Sequence, residues 1–168
     1  SNYIGELTTV LLRKSLLKTK RGDFVAGVFA GIRDRAHGDV GTFLECARLG
    51  KKCVFINEVL SLFRVSSGQN SHNRTIIAYS LMEWLNYITI SWRKNIFIKD
   101  ENDLYHLCDI WKIAKEQQIK CIKSILSTEL SDDEKVCLRA FEAAQQKDYQ
   151  QLFNLSIASI KSYDNNVI

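Results

Sequence analysis

The cysteines and histidines are the side chains in this sequence best suited to bind a metal or act as nucleophiles. The chain of 168 residues has five cysteines and three histidines. No pair of cysteines has the close spacing of a zinc site, and the histidines are scattered. We therefore expect free, mostly buried thiols in a reducing cytosol. The residues are Cys46, Cys53, Cys108, Cys121, Cys137, His37, His72 and His106.

Basic residues near the N-terminal end could contact phosphate groups. The net charge is +4, which is less than the dense basic stripe of a dedicated nucleic-acid binder, so we expect no nucleic-acid partner. A solvated face and a contact with phosphate groups or an anionic membrane surface both remain open. The cluster consists of Arg13, Lys14, Lys18, Lys20, Arg21, Arg33 and Arg35.

Tryptophans can stack on sugars, but at helical positions among leucines and isoleucines they more often belong to a core. We expect Trp84 and Trp111 in the core. Trp92 precedes Arg93 and Lys94 and could face a membrane surface or a partner.

The elements that position these residues fall into two regions. Seven of the eight glycines precede position 51, and the chain has no proline. In the first region, Leu7–Arg13, Lys52–Asn57 and Val59–Val65 have the composition of strands, and Gly22–Gly38 is expected to be rich in loops. A helix is expected over Asp39–Gly50, with Asp39 near its start and Gly50 as its stop. Phe43, Leu44, Ala47 and Leu49 would form its apolar face.

The second region, from about residue 73, is expected to form four helices. The periodicity predicts them over 73–98, 103–126, from Ser131, and over 148–162. The sequence SDDE at Ser131 has the pattern of a capping box, with Glu134 three residues further on. No apolar run reaches the ~18 residues of a membrane-spanning helix. The fold class is therefore mainly α with a small β component.

Two blocks of the first region resemble bacterial glycosyltransferases of family 2, which have the GT-A fold. Residues 2–17, NYIGELTTVLLRKSLL, are similar to the segment that enters the acceptor half of the sheet, although Leu7 stands where proline is usual. Residues 38–71 are similar to the later pattern of an Asp, a helix, a strand, L-S-x-[FY]-R and a Gly-Gln-x-Ser loop. The resemblance implies that 1–72 is a partial acceptor lobe, followed by a helical subdomain at 73–168.

The resemblance also implies roles for individual residues. Asp39 matches the carboxylate that takes the proton from the acceptor hydroxyl, although a helix N-cap remains the alternative. Arg64 and Gln69 match the stretch near the diphosphate, and Glu6 matches a position that could line the acceptor pocket. Ser66 stands where the family commonly has a metal-binding histidine.

The parts that bind the nucleotide are expected upstream, because the sequence has no D-x-D, G-x-G-x-x-G or P-loop. No cofactor is therefore expected in this chain, whereas the intact enzyme would use Mn²⁺ or Mg²⁺. The resemblance implies a nucleotide-sugar donor and a glycan or protein acceptor at the cell surface. We expect a cytoplasmic protein, with peripheral contact at the inner face of the membrane and a homodimer through the helical tail as open alternatives. A helical interaction module with a degenerate transferase remnant is the competing hypothesis.

Overall fold

The computed structural model describes residues 27–34, 36–50, 74–124 and 129–163. These residues form five helices and a two-stranded antiparallel sheet, so the prediction of a mainly α fold with a small β component is confirmed. The chain divides into two compact units, Ser1–Gln69 and Asn70–Ile168. The elements are β1 (Val28–Phe29), β2 (Ile32–Arg33), α1 (Gly38–Leu49), α2 (Arg74–Arg93), α3 (Glu101–Lys123), α4 (Asp132–Gln145) and α5 (Tyr149–Tyr163).

A tight hairpin occupies the stretch that the sequence indicated as a loop. β1 pairs with β2 so that Phe29 lies opposite Ile32. Ala30 and Gly31 between them both have positive φ, of 51° and 93°. Positive φ at both central residues is what a type I′ turn requires, and its twist matches that of paired strands. The prediction of a loop-rich stretch did not specify this hairpin, because alanine at the first turn position is an unusual signal for such a turn. The predicted strands at 7–13, 52–57 and 59–65 lie outside the described residues.

Helix α1 spans the range that the sequence indicated, but it buries a different face. Val40, Phe43 and Cys46 are buried, whereas Ala47 and Leu49 are exposed. The predicted face was therefore correct at Phe43 and wrong at the C-terminal end. The helix ends at Gly50, as expected, but with φ −85° and ψ 166°, which is extended rather than left-handed backbone.

The second unit consists of the four predicted helices, α2 to α5. Helix α2 packs against each of the other three, and the shared core includes Leu81, Leu85, Trp111, Phe141 and Leu152. The indole Nε1 of Trp111 donates a hydrogen bond of 2.9 Å to the Leu81 carbonyl oxygen, which satisfies the polar atom of a buried ring. Within the described ranges, none of the helices has both the length and the apolar composition needed to cross a membrane.

The other two tryptophans are only partly buried. Trp84 packs against the core while the Lys115 ammonium lies 5.4 Å from its ring centroid, at cation–π distance. Trp92 also packs against the core, so its ring is not a freely exposed anchor. Trp111 is thus the fully buried one of the two predicted core tryptophans.

Helices α3, α4 and α5 begin at side-chain caps. Ser131 and Glu134 form the predicted capping box, in which the Ser131 amide donates 2.8 Å to Glu134 Oε2. The carboxylate of Asp100 accepts from the Asp103 amide at the start of α3. Asp148 accepts from the Gln151 amide ahead of α5 in the same way. These caps satisfy amides that lack partners within the helix.

Two helices of the second unit end at a residue that has left-handed backbone although it is not glycine. Asn95 after α2 and Lys147 after α4 have φ of 49° and 57°. The amide of Ile96 donates to Ser91 O, and that of Asp148 donates to Ala143 O, both at 2.9 Å. This is the Schellman pattern, whose left-handed position glycine usually occupies. The absence of glycine from this region therefore does not prevent sharp helix ends.

Candidate functional site

Asp39, the predicted catalytic carboxylate, lies in the first turn of α1 and is half-buried. It is not the N-cap, because His37 occupies that position and its side chain makes no capping hydrogen bond. Asp39 Oδ1 accepts a hydrogen bond of 2.8 Å from the Val40 amide. A carboxylate at this end of a helix is stabilised by the helix dipole. Asp39 therefore interacts with the helix N-terminus from the first turn and not from the N-cap position.

Thr42 joins the hairpin to the first turns of this helix. Its Oγ1 accepts a hydrogen bond of 2.7 Å from the Gly27 amide and donates one of 2.6 Å to the Gly38 carbonyl oxygen. The Asp34 amide, at the other end of the hairpin, donates to Gly27 O at 2.8 Å. The Gly27 end of the hairpin is therefore attached through Thr42 to the helix that contains Asp39.

Glu45 makes the second connection between the hairpin and α1. Its side chain is buried, and Oε2 accepts hydrogen bonds of 2.9 Å from the Ala30 amide and from Arg48 Nε. Arg48 Nη2 contacts the other carboxylate oxygen, so the pair is bidentate. The hydrogen bond to Glu45 raises the pKa of Arg48. The carboxylate thus links the left-handed turn residue to the helix.

Gly41 is required by a carboxylate that packs directly on the helix backbone. A Cβ built on Gly41 would lie 1.6 Å from Asp34 Oδ2, which is far inside van der Waals contact. Any larger residue at this position would displace the Asp34 side chain. The Asp34 carboxylate therefore packs on the backbone of α1 at Gly41, in the same helix whose first turn contains Asp39.

The sequence singled out Asp39 as a candidate and gave no reason to single out Asp34, Gly41 or Glu45. The spacing of Glu45 and Arg48 by three residues is the one signal that could have indicated a pair on α1. Nothing in the sequence indicated that the Glu45 carboxylate also accepts from the turn. Glu6, Arg64 and Gln69, the predicted substrate-binding residues, lie outside the described residues, as does Ser66.

The thiols of the described residues are buried, and burial lowers their reactivity. Cys46, Cys108 and Cys137 are free and buried, as expected from the odd count. Burial raises the pKa of Cys108 and of Cys137 to about 12, so neither forms a thiolate near neutral pH. Among the residues that the structure describes, no three His, Cys, Asp or Glu side chains are grouped as metal ligands.

Comparison with known proteins adds no family to this description. No protein-family model, curated protein or solved structure matches the chain. The half-buried Asp39 carboxylate can chemically accept a proton or a hydroxyl hydrogen bond, next to amides at a helix N-terminus that favour negative charge.

Proposed function

We propose that this chain supplies the acceptor side of an inverting glycosyltransferase similar to family 2, with Asp39 as the general base. The observation that carries the proposal is the position of Asp39. It is half-buried in the first turn of a helix whose N-cap is a different residue, and the hairpin is hydrogen-bonded to the same helix at Thr42. The two sequence blocks that resemble the family support the same assignment.

In the proposed reaction, an acceptor hydroxyl oxygen attacks the anomeric carbon of a nucleotide sugar. The Asp39 carboxylate takes the hydroxyl proton, the new glycosidic bond forms, and the bond to the diphosphate breaks with its electron pair on the leaving nucleotide. Arg64 and Gln69 would contact the diphosphate, and Glu6 would line the acceptor pocket. The acceptor would be a cell-surface glycan or protein.

The Mn²⁺ or Mg²⁺ that the resemblance implies does not fit the described part of the chain. The His, Cys, Asp and Glu side chains of that part offer no cluster of three ligands. We therefore assign no ion to these residues, and no step above runs through one. Nucleotide sugar binding would likewise need residues outside the described ranges.

The test uses the intact protein that contains this chain and a panel of nucleotide sugars, with release of the nucleotide diphosphate as the readout. Asp39→Asn keeps the size of the side chain and its acceptor for the Val40 amide but removes the base. We expect turnover to fall by about 100-fold or more. Unchanged turnover would contradict the assignment of Asp39.

Asp132→Asn is the matched control, because Asp132 is also an acidic residue in the first turn of a helix. Both substitutions remove a charge that favours a helix N-terminus, which costs about 0.3–1 kcal/mol. Equal losses of turnover in the two variants would point to stability rather than proton transfer. Circular dichroism of both variants separates these outcomes.

A second candidate function is a helical interaction module in which residues 73–168 are the functional part. Two observations favour it: the second unit has its own core, and Ile113 on α3 is 70% exposed. If removal of the helical unit abolishes a cellular phenotype that Asp39→Asn leaves intact, this candidate is favoured over the enzyme.

For either function we propose a cytoplasmic location. The support is the set of free thiols at Cys46, Cys108 and Cys137, which suit a reducing compartment. Peripheral contact with the inner face of the membrane through basic residues would be a further property of the enzyme. Fractionation of cells with and without a high-salt wash distinguishes a soluble protein from one held by such contact.

A further inference from the structure

Helix α3 exposes an ordered stripe of side chains on the side opposite its core face. Leu104, Cys108 and Trp111 are buried in the second unit, whereas Ile110 and Ile113 are 46% and 70% exposed. The two isoleucines lie in the middle of a series of exposed residues separated alternately by three and four positions. The series, called the α3 stripe below, is Asp103, His106, Ile110, Ile113, Gln117 and Lys120.

The spacing of the α3 stripe is that of the a and d positions of a coiled coil. Alternation of three and four residues keeps side chains on one seam of a helix, where they can insert between those of a partner helix. Apolar residues occupy the two central positions, and polar or charged residues occupy the ends. A seam of this kind fits another helix of the same length better than it fits a small molecule.

The charges of the α3 stripe indicate which helix fits. If a second copy of α3 lies antiparallel, with the two-fold axis between residues 111 and 112, Ile110 faces Ile113 of the other copy. The same axis places Asp103 opposite Lys120, one pair at each end. A parallel arrangement would instead place Asp103 on Asp103 and Lys120 on Lys120. The stripe is thus self-complementary in one orientation, which a two-fold interface requires.

We propose that the α3 stripe is the interface of an antiparallel homodimer of this chain. The inference is independent of sugar transfer, because it uses no residue of the first unit.

The charges beside the stripe do not oppose this pairing. Asp109 forms an ion pair of 3.0 Å with Lys112, and Glu116 forms one of 3.2 Å with Lys120, within the same helix. Both Glu116 and Lys120 are more than half exposed, so their ion pair is weak and Lys120 can exchange to Asp103 of the other copy. In the dimer Asp109 therefore keeps its partner Lys112, whereas Glu116 gives up a weak, exposed ion pair when Lys120 turns to Asp103 of the other copy.

The dimer is expected to be weak. One pair of helices with two isoleucines on each side buries less surface than a standard stable interface. We expect a dissociation constant on the order of 100 μM, so the chain would dimerise only at high local concentration. Sedimentation velocity of the 168-residue chain, from about 5 to about 300 μM, measures it directly.

Ile113→Lys tests the apolar centre. The substitution removes one isoleucine from each copy and adds two ammonium groups to the seam, so we expect the dissociation constant to rise by about 30-fold or more. Leu49→Lys is the matched control, since Leu49 on α1 is 45% exposed and is not part of the stripe. The control should leave the dissociation constant within about twofold of that of the natural chain.

Charge reversal tests the orientation. Asp103→Lys alone places lysine opposite Lys120, and Lys120→Glu alone places glutamate opposite Asp103, so each variant should dimerise about fivefold more weakly. An equimolar mixture of the two variants pairs opposite charges at both ends. We expect the mixture to associate as tightly as the natural chain.

Three results would overturn the proposal. If the natural chain remains monomeric up to about 300 μM, the α3 stripe is not a dimer interface of this chain. A dimer that Ile113→Lys does not weaken uses another surface. A mixture that associates no better than the single variants excludes the antiparallel register. Circular dichroism of each variant shows whether α3 still folds, so that loss of association is not mistaken for unfolding.

Discussion

Replacing Glu45 with alanine tests how the hairpin is held on α1. Glu45 is 5% exposed, and its carboxylate accepts hydrogen bonds from the Ala30 amide and the Arg48 guanidinium. Ala30 has a φ of 51°, a conformation that costs a non-glycine residue about 1–2 kcal/mol. The hydrogen bond to Glu45 helps to keep Ala30 in that conformation. Glu45→Ala removes the acceptor and leaves the turn without this restraint.

The size of the stability loss in Glu45→Ala follows from the two partners of the carboxylate, Ala30 and Arg48. Loss of a charged acceptor from the Ala30 amide costs about 1.5–3 kcal/mol. Loss of the pair with Arg48 adds little, because the Arg48 side chain is 36% exposed and water can replace the carboxylate. Removing a buried charge returns part of this cost. We therefore expect the free energy of opening of the hairpin to fall by about 2 kcal/mol.

Amide hydrogen exchange measured by NMR reads this opening residue by residue. A change of about 2 kcal/mol makes exchange of the Ala30 amide about 30-fold faster. The Ile96 amide, which donates to Ser91 in the second unit, serves as the control and should not change. Ala30→Gly in the Glu45→Ala background should recover part of the protection at Gly27, since glycine adopts positive φ without cost. If the exchange rate of the Ala30 amide changes by less than about threefold, the Glu45 carboxylate does not stabilise the turn.

Two further predictions concern the second unit. Lys147 has a φ of 57° at the end of α4, a conformation that glycine adopts without cost. Lys147→Gly should therefore raise the free energy of unfolding, measured by urea titration, by about 1 kcal/mol. A destabilised variant would contradict the left-handed backbone at this position. The pKa of Cys137 is raised to about 12, so its thiol stabilises the fold fully below about pH 8.5 and loses that contribution as the pH rises towards about 12. The melting temperature should therefore fall between these values, and less steeply in Cys137→Ala; identical slopes would refute the role of this thiol.

The helices of the second unit could be predicted because their signals are local. Apolar periodicity placed all four, and the Ser131 capping box needs only the two residues Ser131 and Glu134. Their ends could not be predicted in the same way. Asn95 and Lys147 adopt left-handed backbone because the hydrogen bonds of the Schellman pattern compensate its cost, and nothing in their residue types requires it.

The hairpin could not be predicted for a related reason. The turn at Ala30 depends on the Glu45 carboxylate, which lies fifteen residues further along the chain. Position 41 of α1 has room only for glycine because the Asp34 side chain packs on it. Such contacts are fixed by tertiary structure, which local propensity does not encode.

This dependence has a consequence for the candidate site. If Asp39 is the base, its position depends on α1 and on the hairpin packed against it. Two side chains of α1, Glu45 and Thr42, attach this two-stranded hairpin to the helix. A catalytic group must be held within a fraction of an ångström of its productive position. Glu45→Ala in the intact enzyme should then lower turnover without touching substrate, whereas the same change should leave dimerisation through α3 intact. The two proposals are separable on this ground, because one depends on the attachment of the hairpin and the other on an exposed helix of the second unit.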